Sequence, residues 1–547
     1  MTCESCATHV SHALQAVPGV INADVPGWRS GKALVKMQVG VDVKLLSAAV
    51  AEAGYRANVA AKHRPASAWK AGGHGDGIDL VVIGTGGAGM GAAIRAAEQG
   101  AHVALVEGGT IGGTCVNVGC VPSKTLLRAA AAYHKATHPA FEGLPPTEGR
   151  PDWARLVAQK DELVQRLRTG KYEDVIAAYG DRIQLVRGWA RLTSPQTVLV
   201  DERQELRTGR IVIATGARPR ILPIEGIEQV DVLTSTTAME LREQPESLLV
   251  MGGRFIALEQ AQLFARLGTK VTILQRSDRL IPDHEPEISA GIERALADEG
   301  IEVHAGATPV TIRDHHGVKV VSARMNNGIQ QEFSAQHVLM AVGRQANTDR
   351  LGLDDLGVAL DEFGAIVVDD ALRSSVPGIY AAGDVSNRPQ LVYVAAAAGG
   401  VAADNALNGD GRILDLSVLP EVIFTDPQIA TVGLTEAQAR AEGHDVRTAV
   451  LPLEHVPRAL AARNTRGLIK LVADGKTDRL LGAHVLAAEG GEIIQTAALA
   501  IQAGRKYGFT VRDLREMLFP YLVQAEGLKL AALAFDKDVS RLSCCAG

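Results

Sequence analysis

Residues 78–89 read Ile78-Asp-Leu-Val-Val-Ile-Gly84-Thr-Gly86-Gly-Ala-Gly89, and this stretch decides the fold. Its apolar half predicts a buried strand over Ile78–Ile83, and the glycines predict a tight turn that opens a helix. Gly84 allows the turn, Gly86 lets the backbone approach a pyrophosphate, and Gly89 permits close helix–strand packing. Glu107 follows a second predicted strand, where a carboxylate can accept hydrogen bonds from ribose hydroxyls. The pattern predicts a dinucleotide-binding unit; the alternative is a glycine-rich turn without a ligand.

A second strand–turn–helix unit starts at Ser247. The apolar pattern predicts strands over Leu248–Met251 and Val271–Leu274 and a helix over Glu259–Leu267. Two such units in one chain imply two bound dinucleotides.

The turn of this second unit departs from the glycine pattern in one place. Gly252 and Ala257 hold the outer positions, but Arg254 replaces the middle glycine, which weakens the case for the closest phosphate approach while keeping the turn. Arg276, with Arg279 nearby, follows the second strand where NADH-binding units carry an acid. An arginine suits a 2′-phosphate, so we infer NADPH; the alternative is two solvated surface arginines.

Composition and charge limit the class of protein. The length of 547 residues suggests three or four domains of roughly 150 residues each. A formal charge of −6 does not indicate the basic surface that binding to nucleic acid or anionic lipid would need. No apolar run reaches the about 18 residues that a membrane helix needs, and no signal peptide follows Met1. We therefore expect a cytoplasmic protein that neither binds nucleic acid nor inserts into membranes.

The cysteines fall in pairs. The chain has six of them, placed as Cys3/Cys6, Cys115/Cys120 and Cys544/Cys545. In a cytoplasmic chain of this length they are not a disulfide framework. Paired thiols instead suit soft metal ions or dithiol redox chemistry.

The middle pair lies in the most informative motif, Gly112-Gly-Thr114-Cys115-Val-Asn-Val-Gly-Cys120-Val-Pro-Ser-Lys124. Two thiols five positions apart on an incipient helix can close one ring, and a helix N-terminus lowers a thiol pKa. A structural zinc half-site is the alternative, but no Cys-x-x-Cys or histidine partner flanks the pair. The motif resembles the active site of the flavin disulfide reductases. That resemblance implies that Cys120 faces the flavin, Cys115 meets the substrate, and Lys124 lies near the flavin, paired with Glu259.

Two later motifs follow the order of the same family. Ala214-Thr-Gly216 resembles the crossover ahead of the second nucleotide domain, and Ala381-Ala-Gly-Asp384 resembles a second FAD contact. We therefore expect FAD to contact Gly84, Gly86, Gly89, Glu107, Gly112, Thr114, Lys124, Ala214, Gly216 and Asp384, and NADPH to contact Gly252, Ala257 and Arg276.

The C-terminal segment separates subfamilies. Glutathione reductase and dihydrolipoamide dehydrogenase need a His–Glu pair near the C-terminus to move a proton. The last histidine of this chain is His484, and the corresponding positions hold Phe519 and Gln524. Phenylalanine cannot carry a proton, which argues against an organic disulfide substrate.

The tail supplies a different chemistry. The pair Cys544-Cys545 suits a soft, thiophilic ion that must be held and passed on; a surface tail without a role is the alternative. With the missing base and Tyr521, it resembles the mercuric reductase family. The resemblance implies that NADPH reduces Hg(II) to Hg(0) through FAD, with Hg(II) moving from the tail to Cys115 and Cys120. The expected catalytic residues are Cys115, Cys120, Lys124, Glu259, Tyr521, Cys544 and Cys545.

The N-terminus predicts a small module. Its pattern predicts helix, two strands, helix and strand, with helices over Ser11–Val17 and Val43–Ala53 and a last strand over Tyr55–Val59. Met-Thr-Cys3-Glu-Ser-Cys6 resembles the soft-metal motif of heavy-metal-associated domains, which are ferredoxin-like. Their first strand normally precedes this motif, so we expect a module that either lacks that strand or starts upstream of Met1. The expected metal ligands are Cys3, Cys6, Cys115, Cys120, Cys544 and Cys545.

The expected fold class is α/β, with two Rossmann-like domains, an α+β dimerisation domain and the small N-terminal module. The expected boundaries are 1–60 for the metal-binding module, 61–77 for a linker, 78–220 and 346–419 for the FAD domain, 221–345 for the NADPH domain and 420–547 for the dimerisation domain.

The resemblance implies a homodimer that acts on Hg(II)–thiolate complexes, and it allows a thiol protein that delivers mercury. Two rival functions stay open. A low-molecular-weight or dihydrolipoamide-type disulfide reductase would turn over organic disulfides with NADPH. A non-catalytic metal-binding protein would contain no flavin.

Overall fold

A computed structural model describes residues 4–25, 33–37, 43–55, 57, 77–538 and 541. The chain divides into two compact units, Met1–Lys70 and Ala71–Gly547. Among the helices in these ranges, none has both the length and the apolar character of a membrane span.

The first unit packs two helices with a two-stranded antiparallel sheet. Its elements are α1 (Glu4–Gln15), β1 (Val20–Asp24), β2 (Leu34–Met37) and α2 (Val43–Glu52). The prediction that the first helix begins at Ser11 is wrong, because α1 already buries Ala7 and Val10 on one face. The predicted strand over Tyr55–Val59 falls mostly outside the described residues, and its described members, Tyr55 and Ala57, are in no strand.

The second unit opens with a strand, a helix and a second strand, as the first glycine motif predicts. The elements up to residue 220 are β3 (Leu80–Ile83), α3 (Gly87–Glu98), β4 (Val103–Glu107), α4 (Gly113–Asn117), α5 (Cys120–Thr137), α6 (Trp153–Arg168), a π-helix (Thr169–Glu173), α7 (Asp174–Ala178), β5 (Ile183–Arg187), β6 (Ala190–Ser194), β7 (Thr197–Val200), β8 (Gln204–Arg207), β9 (Ile211–Ile213) and β10 (Ala217–Pro219).

The second strand–turn–helix unit follows. Up to residue 346 the elements are α8 (Ser235–Ala238), β11 (Ser247–Met251), α9 (Phe255–Arg266), β12 (Lys270–Gln275), α10 (Pro286–Asp298), β13 (Glu302–Ala305), β14 (Ala307–His315), β15 (Val318–Met325), β16 (Gln330–Ala335), β17 (His337–Met340) and β18 (Arg344–Ala346). The prediction that its helix begins at Glu259 is wrong, because α9 starts at the turn itself.

The chain then returns to the first sheet and ends in a third domain. These elements are β19 (Ile379–Ala381), α11 (Val392–Asn408), β20 (Glu421–Ile423), β21 (Gln428–Gly433), α12 (Glu436–Ala441), β22 (Val446–Pro452), α13 (Pro457–Ala461), β23 (Leu468–Asp474), β24 (Leu480–Ala487), α14 (Gly490–Tyr507), α15 (Val511–Glu516) and α16 (Glu526–Leu533).

Strand pairing explains how these segments combine. The first nucleotide sheet is parallel throughout, in the order β19-β9-β3-β4-β5, and the second is parallel in the order β13-β12-β11-β17. The inner strands are buried on both faces, which is why they read as unbroken apolar runs. The C-terminal sheet is antiparallel, in the order β20-β21-β24-β23-β22. The predicted α/β class with two nucleotide-binding sheets and a third α+β domain is confirmed.

Candidate active site

One cavity of about 990 Å³ opens where the carboxyl ends of β3, β4, β9 and β19 meet. This edge is where parallel α/β sheets bind their ligands. The cavity brings together residues that lie far apart in the sequence. The predicted site residues among its lining are Gly84, Gly86, Glu107, Thr114, Cys115, Cys120, Lys124, Ala214, Gly216, Glu259 and Asp384.

The first turn has the close approaches that the glycine pattern requires. Gly84 has φ +107°, and a Cβ there would lie 2.3 Å from the carbonyl oxygen of Ala214. At Gly89 a Cβ would lie 1.8 Å from the Gly84 oxygen. At Gly86 the nearest atom would be 3.7 Å away, so the fold leaves room there. The first and third glycines thus serve packing, whereas the second is available for a ligand.

Glu107 is fixed at the end of β4. Its Oε2 accepts hydrogen bonds from the Thr85 amide (3.0 Å) and hydroxyl (2.5 Å), and its Oε1 accepts one from the Gly109 amide (2.7 Å). The carboxylate therefore lies beside the turn, where the fingerprint places the acid that binds a ribose.

The two thiols of the motif occupy two helices instead of one. Cys115 lies in α4, and Cys120 is the first residue of α5. The expectation of a single incipient helix is therefore wrong, because Val118 and Gly119 leave helical geometry between them. Both cysteines are reduced and half-buried, and their side chains form a hydrogen bond with each other.

The shared hydrogen bond makes the two thiols unequal. The bond from Cys115, helped by the charge of Lys124, lowers the pKa of Cys120 to about 7 in spite of burial. The same bond, together with burial, raises the pKa of Cys115. Cys120 is therefore the thiolate of the pair, and its position at the N-terminus of α5 favours negative charge.

Lys124 and Glu259 form the ion pair that the family resemblance implies. Lys124 Nζ lies 2.6 Å from Glu259 Oε2, and Glu259 is buried. Lys124 comes from α5, one turn after Cys120, and Glu259 comes from α9 of the second nucleotide unit. The pair therefore ties the dithiol helix to the second dinucleotide-binding unit.

The cavity contains polar groups that suit FAD. The N-cap of α3 is Gly86 and no side chain caps it, so the amides there face the cavity as they would face a pyrophosphate. Burial raises the pKa of Asp384, whose Oδ2 is 3.5 Å from Arg344 Nε. Arg344 Nε has no hydrogen-bond acceptor among the described residues, which leaves a buried donor for a bound group. The residues present therefore fit FAD.

Sequence reasoning missed Arg344 and Trp189, which also line the cavity. The Trp189 ring lies against Gly108, beside Glu107, at the end of the cavity where the fingerprint places an adenosine, and Arg350 lies 5.7 Å from its ring centroid. No short motif surrounds either residue. Trp189 follows β5, a strand that the sequence analysis did not predict, so nothing in the sequence marks it as a cavity residue.

The turn of the second nucleotide site has the same kind of backbone conformation as the first turn. Gly252 has φ +115°, and a Cβ there would lie 2.3 Å from the carbonyl oxygen of Ala341. Arg254 is the N-cap of α9, and its guanidinium pairs with Asp283. Arg276 is exposed directly after β12, whereas Arg279 donates to the carbonyl of His284 (3.1 Å). This arrangement fits NADPH, with Arg276 available for the 2′-phosphate.

The remaining predicted site residues lie elsewhere. Gly89, Gly112 and Ala257 lie outside the cavity lining, and Ala257 is buried in α9. Cys6 lies in α1 of the first unit. Cys3, Cys544 and Cys545 lie outside the described residues.

The C-terminal segment presents apolar side chains outward. Tyr521 is 58% exposed and does not line the cavity of its own chain, and the neighbouring Leu518 is 94% exposed. Phe519, by contrast, packs on the core of the C-terminal domain. His484 is buried within the C-terminal sheet, and no histidine is found among the described residues that line the cavity.

Comparisons with known proteins agree with this geometry. Residues 78–399 match the family model for pyridine nucleotide-disulphide oxidoreductases, and residues 419–532 match the model for their dimerisation domain. The chain is 44% identical to the mercuric reductase of Lysinibacillus sphaericus, over 100% of this chain and 98% of the relative. It is 48% identical to that of Streptomyces lividans, over 86% of this chain and 99% of the relative.

A solved structure shows the same fold. The HOCl-induced flavoprotein disulfide reductase RclA from Escherichia coli superimposes with a TM-score of 0.74 at 31% identity, over 83% of this chain and 99% of that one. Its match and the full-length matches to relatives settle the family. The chain belongs to the mercuric reductases among the pyridine nucleotide-disulphide oxidoreductases.

Proposed function

We propose that this protein reduces Hg(II) to Hg(0), with NADPH as electron donor and FAD as cofactor. The observation that carries the proposal is a half-buried dithiol in a dinucleotide-sized cavity, in a chain that has Phe519 and Gln524 where the family's disulfide reductases carry a His–Glu pair. A dithiol binds a soft ion directly, whereas an organic disulfide would need a proton carrier.

The two dinucleotides have separate binding residues in this proposal. Gly86 and the N-terminus of α3, Glu107, Asp384 and Arg344 hold FAD, and the Gly252 turn and Arg276 hold NADPH. When bound, FAD would supply two-electron chemistry: one hydride equivalent from NADPH would reduce the Cys115–Cys120 disulfide to the dithiol, and a second would reduce Hg(II).

The chain's own residues prepare the metal-binding step. The Cys115 thiol meets the mercury–thiolate complex and displaces one ligand, which leaves as a thiol with the Cys115 proton, and the Cys120 thiolate then displaces a second ligand by associative exchange. Cys115 becomes a ligand when it loses its proton, which its raised pKa opposes until mercury replaces that proton. Lys124 holds a positive charge beside the pair. The overall reaction is NADPH + Hg²⁺ → NADP⁺ + Hg⁰ + H⁺.

The C-terminal positions favour mercury over a disulfide. Phe519 and Gln524 stand where disulfide reductases of this family carry a His–Glu pair, and Phe519 packs on the C-terminal core. Neither side chain can move a proton during dithiol–disulfide exchange.

Delivery of mercury involves parts of the chain beyond the cavity. In our proposal the protein is a cytoplasmic homodimer, and Cys544, Cys545 and Tyr521 of one subunit serve the dithiol of its partner. Residues 1–60 act as a tethered donor through Cys3 and Cys6, at a local concentration of roughly millimolar. A thiol protein that delivers mercury would use the same exchange chemistry.

The decisive experiment uses the purified protein with excess thiol. We expect a flavin spectrum, NADPH oxidation that depends on Hg(II), and release of volatile Hg(0). Cys115→Ala and Cys120→Ala should each abolish this turnover while FAD stays bound. Rapid NADPH-dependent turnover of glutathione disulfide or lipoamide, without mercury turnover, would favour the disulfide reductase. A protein without flavin absorbance would favour the non-catalytic metal carrier.

A further inference from the structure

Phe424 is an aromatic residue of the C-terminal domain that reaches the cavity. It follows β20 directly, is 38% exposed, and contributes to the cavity lining. Lys124 Nζ lies 4.8 Å from the centroid of its ring, within the range of a cation–π contact. The ring therefore covers one side of the ammonium group.

The backbone of the same residue holds the partner of that lysine. The Phe424 amide donates a hydrogen bond to Glu259 Oε1 (2.9 Å), while Glu259 Oε2 accepts one from Lys124 Nζ (2.6 Å). The two carboxylate oxygens are thus assigned to different donors. Phe424 contacts both members of the ion pair, one through its ring and one through its amide.

The segment that carries Phe424 is itself fixed to α9. The Asp426 amide donates to Gln262 Oε1 (2.7 Å), and Gln262 Nε2 donates to the Asp426 carbonyl (2.9 Å). One turn further along α9, Arg266 Nη1 lies 3.0 Å from Asp426 Oδ2, and the Arg266 side chain is buried. Glu259, Gln262 and Arg266 lie on one helix face, so the segment docks along two turns.

We propose that Phe424 is a positioning residue, which holds the Lys124 ammonium between its ring and Glu259 and so fixes a positive charge in the cofactor cavity. The inference rests on the proposed use of FAD, but not on mercury as the substrate. A fixed cation stabilises reduced flavin, which is more negative than oxidised flavin. Phe424 therefore raises the reduction potential of bound FAD, although it acts only through Lys124.

The alternative is that Phe424 contributes only apolar surface to the cavity lining. Leucine would then replace it with little consequence, because leucine is also apolar and keeps the backbone amide. A cation–π role instead requires a π-system, so tyrosine should replace phenylalanine and leucine should not. The two roles therefore predict different results for the same pair of substitutions.

The experiment measures the midpoint potential of FAD in the holoenzyme, by equilibration with redox dyes in the absence of mercury. Phe424→Leu should shift the potential to a more negative value, and Phe424→Tyr should leave it near that of the wild type. Phe363→Leu is the matched control, because Phe363 makes a similar contact with Arg220 (5.8 Å) outside the cavity lining. It should not change the potential.

A double substitution tests the route through the lysine. In a Lys124→Met background, Phe424→Leu should produce no further shift. An unchanged potential in Phe424→Leu, an equal shift in Phe424→Tyr, or a full shift in the Lys124→Met background would each overturn the proposal. If Phe424→Leu does not retain FAD, Phe424→Met gives the same comparison with a longer apolar side chain. Mercury turnover is measured separately, so failure of the proposed function would be seen independently.

Discussion

At the scale of single residues, the reactivity of the site comes from an asymmetry between two thiols. Cys115 donates the hydrogen bond and Cys120 accepts it, and only Cys120 stands at the first position of a long helix beside a lysine. The charge of Glu259 opposes this effect, so the position of the Lys124–Glu259 pair matters. A nucleophilic thiolate at neutral pH is the consequence.

This asymmetry predicts the pH dependence of alkylation. Cys120, with a pKa of about 7, should be about half thiolate at pH 7, whereas an ordinary thiol with a pKa of about 8.5 would be roughly 3% thiolate. Iodoacetamide should therefore alkylate Cys120 in the reduced FAD-bound Cys115→Ser variant, whose hydroxyl keeps a hydrogen-bond donor beside Cys120, with a midpoint below that of an ordinary thiol. Adding Lys124→Met should raise the midpoint, since the cation is lost. A midpoint near 8.5 before this second change would contradict the assignment.

A second residue-scale prediction concerns the coenzyme. Arg276 is exposed directly after β12, where a 2′-phosphate would lie. A charge-assisted hydrogen bond contributes about 1.5–3 kcal/mol, so Arg276→Glu should weaken NADPH binding by about tenfold to a hundredfold. NADH should be affected far less, because it has no phosphate there. Steady-state KM values for both coenzymes check this, and equal effects on the two would refute the role of Arg276.

At the scale of elements, the sequence predicted strands and glycine turns better than helix starts. The strands β3 and β11 are unbroken apolar runs, and the turns after them carry glycines that a positive φ requires. The start of α9 was missed because its first turn is apolar and lacks a capping side chain. Trp189 and Phe424 were missed because only tertiary packing brings them to the cavity.

The glycine turn yields an element-scale prediction. Gly84→Ala should damage the fold, because an added Cβ would meet the Ala214 oxygen at 2.3 Å in a backbone with positive φ. Gly86→Ala should fold normally, because the added Cβ would lie 3.7 Å from its nearest neighbour. It should nevertheless weaken FAD binding by about tenfold, because one amide–phosphate contact is disturbed. Circular dichroism measures folding, and titration of apoprotein measures FAD affinity. Unchanged FAD affinity in Gly86→Ala would remove the phosphate role of this position.

At the scale of the whole molecule, the C-terminal domain favours a homodimer. Residues 419–532 match a dimerisation domain, and Leu518 and Tyr521 are exposed apolar residues of that domain. Tyr521 does not line the cavity of its own chain. A two-fold dimer brings the same surface of both subunits together, and our proposal places the tail of one subunit over the cavity of the other. The sequence implies the homodimer only through the family resemblance, because the packing of one chain does not show which surfaces of two copies meet.

The mixed dimer tests whether the tail works across that boundary. One chain carries Cys115→Ala and Cys120→Ala, and the other carries Cys544→Ala and Cys545→Ala. A half-buried dithiol captures a bulky mercury–thiol complex poorly, whereas a vicinal pair on a tail can strip its ligands by exchange. Each homodimer should therefore fail with Hg(II) bound to a bulky thiol.

In the mixed dimer, one of the two sites combines an intact dithiol with an intact tail from the partner. Co-expression with two affinity tags isolates this species, and it should recover about half of the wild-type rate per dimer. The homodimer without tail cysteines should still reduce Hg(II) bound to small, labile ligands, which controls for damage to the dithiol itself. A verified mixed dimer that stays inactive with the bulky complex would mean that each tail serves its own chain or has no role in delivery.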